Sequence, residues 1–318
     1  MTADTFVAET RSAPPTRRPL SPRTFRRWRE RAAGEAFLIP IALVVVVIIG
    51  IPFVRAVYYS FTDYSGMSPH TKFVGLRNYE SVFTNSSLLT GLTFTLLFAV
   101  STTLGITMLA IPLAVMLNRK FIGRRFVRAI FFFPAIPSIA VLGLVWNFIL
   151  SPLGSGALNQ VLHALFHMGA VPWLADSDLA RLSVIGVGIW SATGWHAILY
   201  LAYLQSIPND YYEAATLDGA NARQRFFRIT LPLLTPAVTI STTLLMIGGL
   251  NVFALPSTLT GGGPGYATYT IMQMIIIDGI SQAEYGLASA LGVVFMIAVG
   301  IVLVGQLLLT RRIERWAS

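Results

Sequence analysis

Six long apolar runs, none with an Asp or Glu inside it, alternate along the chain with short polar stretches. They cover about residues 36–61, 88–117, 129–150, 182–205, 233–255 and 287–309. A helix rises about 1.5 Å per residue and a bilayer's hydrocarbon core is about 30 Å thick, so runs of this length predict membrane-crossing helices. The first run is too long for the apolar region of a signal peptide, and no small-residue cleavage site follows it, so it is expected to remain as a span. Arg55 lies near its outer end, where a long side chain reaches the interface. Pro134 and Pro137 fall inside the third run, and a kink there is tolerable where neighbouring helices satisfy the freed carbonyls. The expected fold is all-α, a polytopic membrane protein of six transmembrane helices.

The intervening stretches predict less regular structure. Residues 1–31, rich in Pro, Thr, Ser and Arg, read as a disordered basic tail, and residues 32–318 as the transmembrane domain. Residues 151–180 predict a short interfacial helix and a turn. In residues 256–286 the Gly-Pro cluster predicts a tight turn. The apolar run Tyr269 to Ile277 is too short to span and is expected to lie in the interface or fold back.

Composition agrees with the pattern. Of 318 residues, 54% are hydrophobic and 12% charged, against about 25% charged in soluble domains. The formal charge is +9. Four basic residues, Arg55, Lys72, Arg77 and Arg181, fall on one side of the expected spans, and the remaining 19 of 23 fall on the other. Membrane proteins concentrate Lys and Arg in cytoplasmic segments, so both termini and the loop 206–232 are expected in the cytoplasm. The positive balance thus belongs to orientation against lipid, and no nucleic-acid partner is expected. Without Cys, disulfides and thiolate chemistry are excluded.

Candidate chemistry is sparse. The two lysines, Lys72 and Lys120, do not follow a Gly, so a phosphate-binding loop is absent and the chain is not expected to be an enzyme or to hydrolyse ATP itself. His163 and His167 share one face if their stretch is helical, but further ligands are lacking, and no metal site is expected. Polar and aromatic groups within spans are costly unless they face a partner or a wet path. Asn147, Trp195, His196, Tyr200 and Asn251 are therefore candidates for a substrate path, the alternative being hydrogen bonds that only join helices.

The loop "YYEAATLDGANARQRFFRITLP", residues 211–232, reads like a soluble surface between two apolar runs. Asn209 or Asp210 is placed to cap a helix, and Glu213 lies in its first turn, where the dipole favours an acid. Ala214 and Ala215 are small helix formers, and Gly219 suits a left-handed helix ending. A second short helix is expected from about Asn221 to Arg228, with Leu231-Pro232 starting the fifth span. The product is a helix-turn-helix on the cytoplasmic face, either a docking surface or a hairpin touching headgroups.

This loop resembles the EAA loop of binding-protein-dependent ABC importers. The family pattern is Glu-Ala-Ala, three residues, Gly, nine residues, then Ile-x-Leu-Pro. Glu213-Ala214-Ala215, Thr216 to Asp218, Gly219, Ala220 to Arg228 and Ile229-Thr230-Leu231-Pro232 match every fixed position and both gaps. The likeness extends over about residues 36–310. "FVGLRNY" at 73–79, "GSGALNQVL" at 154–162 and "LTGGGPGYAT" at 259–268 resemble loops of the carbohydrate branch, and among its paired subunits the first, of maltose, lactose and glycerol-phosphate type. The resemblance implies the type I permease fold. It makes Glu213, Ala214, Ala215, Asp218, Gly219, Ile229, Leu231 and Pro232 coupling residues that dock into a separate ATPase. It also implies a second homologous permease subunit, two ATPase subunits that use ATP and Mg, an extracytoplasmic solute-binding protein, and no cofactor on this chain. The solute is expected to be a sugar. Glycerol phosphate or polyamine import is the alternative within the class, although no Arg or Lys lies mid-span. An ion-coupled secondary transporter is disfavoured by the acid-free spans. A third class is a membrane enzyme or scaffold, of which the lack of a metal or nucleophile cluster disfavours the enzyme.

Overall fold

The computed structural model describes residues 38–67 and 71–317, so the expected basic tail lies outside the described residues. The chain divides into two compact units at Arg55/Ala56. Among the described residues five helices are long and apolar enough to cross a membrane, or six if one bent pair is counted as a span. The first is α1 (Ile39–Tyr59). It contains a π-helical turn at Val46–Gly50, closed by Ile51 N–H donating to the Val46 carbonyl. Pro52 follows directly. Proline has no N–H to give to the preceding turn, and a wider turn accommodates the loss.

Within residues 56–317 the long helix α3 (Ser86–Asn118) is central. It packs against α7 (Ser177–Leu204) and α9 (Ala222–Leu250). One cluster where the three meet contains Ile106, Ala110, Leu117, Ala197, Tyr200, Leu204, Leu234 and Ala237, all buried. The last helix, α12 (Tyr285–Ala317), packs on α9 and on the short helix α11 (Ile271–Ser281). Small residues let these helices approach closely, which is how helices associate where lipid offers no hydrophobic drive.

The third apolar run is not one straight span. It is α4 (Arg124–Phe132), a 3₁₀ turn Phe133–Ala135 and α5 (Ile139–Ile149), with a 95° bend between the two halves. Pro134 and Pro137 remove two donors in four residues, and the chain turns there rather than kinking mildly. At the bend α4 lies against α7 so closely that a Cβ on Gly194 would run into the Phe131 carbonyl. The fifth run also differs from expectation. Its helix ends at Leu250, and residues to Leu259 form a separate helix, α10 (Ala254–Leu259), packed on α5.

The loops of residues 62–87 and 151–180 are tied by side-chain amides. Asn78, in α2 (Arg77–Thr84), donates to the Ser60 and Thr62 carbonyls at 2.9 and 2.8 Å, which fastens "FVGLRNY" to the chain leaving α1. Asn159, in α6 (Ala157–Phe166), is buried, donates to Ser151 and Val171 carbonyls and accepts from Val171 N–H and Trp173 Nε1. In the Gly-Pro turn the Thr260 and Thr268 hydroxyls are 2.6 Å apart. The short run after it folds back: α11 buries Ile271 and Met274, and the Ile271 N–H donates to Thr95 of α3 at 3.0 Å. Burial, and the Asp278 carboxylate beside it, hold the Tyr269 phenol above its ordinary value, so it stays a donor to Asp278.

Candidate functional site

The first arm of the polar loop is α8 (Asp210–Leu217). Asn209 precedes it without a side-chain cap, so the capping expected of Asn209 or Asp210 does not form at Asn209. The dipole of the first turn is met instead by Asp210 and Glu213. The helix ends as the sequence predicts: Gly219 has φ 77°. Gly219 N–H donates to Thr216 at 3.1 Å and Ala220 N–H to Ala215 at 2.9 Å, the paired bonds of a Schellman ending.

The second arm differs. It does not stop before the fifth span, because Ala222–Leu250 is one helix of 29 residues. Asn221 starts it with a capping box, accepting from Gln224 N–H while the Gln224 side chain accepts from Asn221 N–H. A π-helical turn at Phe226–Thr230, closed by Leu231 N–H on the Phe226 carbonyl, precedes Pro232. This repeats the device at Pro52 and lets the helix continue through a residue expected to begin it. Two cross-links hold the arms together: Arg225 donates to the Thr216 hydroxyl at 2.7 Å, and the Tyr212 and Thr230 hydroxyls are 3.2 Å apart. Glu213, Ala214, Asp218 and Gly219 are exposed, Ala215, Ile229, Leu231 and Pro232 half-buried. Leu217, which sequence reasoning did not single out, is 89% exposed at the tip. The one signal for it was an apolar side chain between polar neighbours.

Of the path candidates, the structure brings Trp195 and His196 together at two adjoining cavities. One, about 270 Å³, is lined by Pro134, Pro137 and Ser191 with both rings. The other, about 380 Å³, adds Phe98, Ile106 and Leu244. The rings meet edge to face at 4.7 Å. The other three candidates line neither cavity. Tyr200 is fully buried among α3, α7 and α9. Asn147 donates to the Leu259 carbonyl at 2.7 Å, holding α5 to α10. Asn251 donates to Ile247 of its own helix end. His163 lies in α6, but His167 follows it in a left-handed conformation, with ring centroids 6.4 Å apart. Among the described residues no three His, Asp or Glu side chains gather as a metal site would need.

Residues 106–315 match the family model described as "Binding-protein-dependent transport system inner membrane component". The trehalose/maltose transport system permease protein MalF of Thermococcus litoralis is 32% identical over 274 residues, 86% of this chain and 92% of that protein. The multiple sugar-binding transport system permease protein MsmF of Streptococcus mutans is 32% identical over 291 residues, covering 92% and 99%. A chain in the crystal structure of a bacterial alginate ABC transporter, in complex with an alginate pentasaccharide-bound periplasmic protein, superposes with TM-score 0.76 at 25% identity, over 92% of this chain and 98% of that one. The match over most of the spans, and relatives alike along almost their full length, leave one conclusion: the chain belongs to the family of binding-protein-dependent transport system inner membrane components.

Proposed function

We propose that the chain is a permease subunit of an ATP-driven importer of a carbohydrate, a di- or oligosaccharide delivered by an extracytoplasmic binding protein. The observation that carries this is the loop 206–232: its two arms are cross-linked, its apolar tip is exposed, and its second arm is the fifth span itself. A load on the tip therefore moves a membrane helix without an intervening hinge. Two ATPase subunits, closing on ATP and Mg, push on this knob and on that of a second permease subunit, and the cavity turns outward; hydrolysis returns it inward. Energy enters only through contacts that differ between the two states, and the knob is where this chain makes them. The coupling residues are Glu213, Ala214, Ala215, Asp218, Gly219, Ile229, Leu231 and Pro232, with Leu217 added as the apolar anchor.

Carbohydrate is favoured by the names of the relatives, which include permeases for trehalose/maltose and multiple sugars. It is also favoured by Trp195 and His196 at cavities without a charged side chain in their lining. An aromatic face suits the C–H face of a sugar ring, and a neutral cavity suits a neutral solute. Deletion of the gene is expected to abolish growth on at least one di- or oligosaccharide as sole carbon source. Intact growth on every carbohydrate, with loss of growth on an amine or peptide, would overturn the solute class.

The knob must face the ATPases, so both termini lie in the cytoplasm. The chain has no Cys, and Arg223→Cys gives a single label site. A membrane-impermeant maleimide is expected to react there only after the cells are permeabilised. Reaction in intact cells would reverse the topology.

A further inference from the structure

His196 is a polar ring deep in a span, and only 6% of it is exposed. Its Nδ1 lies 2.7 Å from the hydroxyl of Ser241, on α9, so the ring is fixed across two helices. Ser241 is fully buried. The imidazole also meets the indole of the preceding residue, Trp195, at 4.7 Å and 73°. Trp195 is 44% exposed and borders both cavities, so an open ring rests against a ring that is itself pinned. A hydrogen bond made only to join α7 to α9 would not need a place on the cavity wall.

We propose that His196 is a positioning residue, held by Ser241, which fixes the Trp195 indole with its free face toward the cavity so that a carbohydrate ring stacks on it. This rests on the reading of the chain as a carbohydrate permease. An edge-to-face aromatic contact favours one side-chain orientation, and without the pin the imidazole turns and the indole gains rotamers. The platform then has to be ordered afresh for each solute, which weakens its hold in the membrane while leaving recognition by the binding protein alone.

The test uses the complete transporter in proteoliposomes with its binding protein, and whichever of maltose, trehalose, cellobiose or chitobiose it moves fastest. Ser241→Ala removes the pin. His196→Asn keeps an amide within reach of Ser241 but removes the ring that meets Trp195. Each is expected to reach the membrane at normal abundance and to lower sugar moved per ATP hydrolysed about fivefold, the size of one aromatic contact. Misfolding alone would lower uptake and hydrolysis together and leave this ratio unmoved. The Trp195 fluorescence, read as wild type minus Trp195→Phe, should change on solute delivery in the wild type and not in Ser241→Ala. Ser241→Thr, which keeps the hydroxyl, should restore both readouts. Wild-type ratios in Ser241→Ala and His196→Asn, beside an active wild type, overturn the positioning role and leave the carbohydrate reading standing. A wild type that hydrolyses ATP with its binding protein, moves none of the four sugars and whose gene, when deleted, costs growth on an amine or peptide but on no carbohydrate overturns the two together.

Discussion

Gly219→Val and Ala215→Trp are each expected to leave the protein in the membrane at near-normal levels, to abolish uptake and to weaken recruitment of the ATPase. Gly219 sits at φ 77° in the Schellman ending of α8, and nothing lies within 4 Å of where a Cβ would be built. The cost of Val there is thus backbone strain rather than collision, about 1 kcal/mol or more. That is minor for a bundle of long packed helices. It is major for a hairpin tip held by two hydroxyl contacts, because relief of the strain re-aims Leu217 and Asp218. Ala215 is half-buried and its carbonyl accepts the Ala220 N–H, so on the proposed coupling role Trp there adds bulk where the ATPase would dock. Leu217→Asp should act in the same direction, replacing an anchor that is 89% exposed. Pull-down of the ATPase from detergent extracts, with uptake in parallel, checks all three. Normal recruitment and uptake in Gly219→Val and Ala215→Trp would reduce the hairpin to an interfacial ornament and remove the main support for the coupling role.

Gly194→Val should fail in the opposite way. It is expected to cut the amount of folded protein in the membrane several-fold, whatever the coupling loop does. Here the added carbon meets the Phe131 carbonyl at the bend between α4 and α5, and backbone cannot swing aside as a flexible side chain does. Overpacking of this kind costs about 1–3 kcal/mol or more, and steady-state abundance follows stability. Immunoblots of membranes and the melting midpoint of detergent extracts measure it. Wild-type values for both would mean that α4 does not lie against α7 as described.

The two glycines also mark the limit of what the chain reveals before it folds. Gly219 was legible as a positive-φ position because helix endings are local: six or so residues decide them, and all are contiguous. The same holds for the apolar runs, whose length is matched to the bilayer, and for the EAA spacing of the loop 211–232. Gly194 carried no such mark, since its neighbour Phe131 lies 63 positions away and is met only when α4 crosses α7.

The sequence by itself determined that the chain is helical, that it is built to cross a membrane repeatedly, and which loop forms a helical hairpin between two spans. Each of these follows from hydropathy, charge and turn chemistry within one stretch. Only the tertiary structure decided that the Pro134–Pro137 segment turns through 95° instead of kinking, because the freed carbonyls there depend on what packs around them. Only it decided that Pro232 lies inside a helix and not at its start, since one π-helical turn absorbs the missing donor and makes the knob continuous with its span. And only it separated the polar candidates. Asn147 is committed to a carbonyl 112 residues distant, while Trp195 and His196 stay on a cavity wall. A buried hydrogen bond is chosen by the fold as a whole, and no window of sequence contains both of its ends.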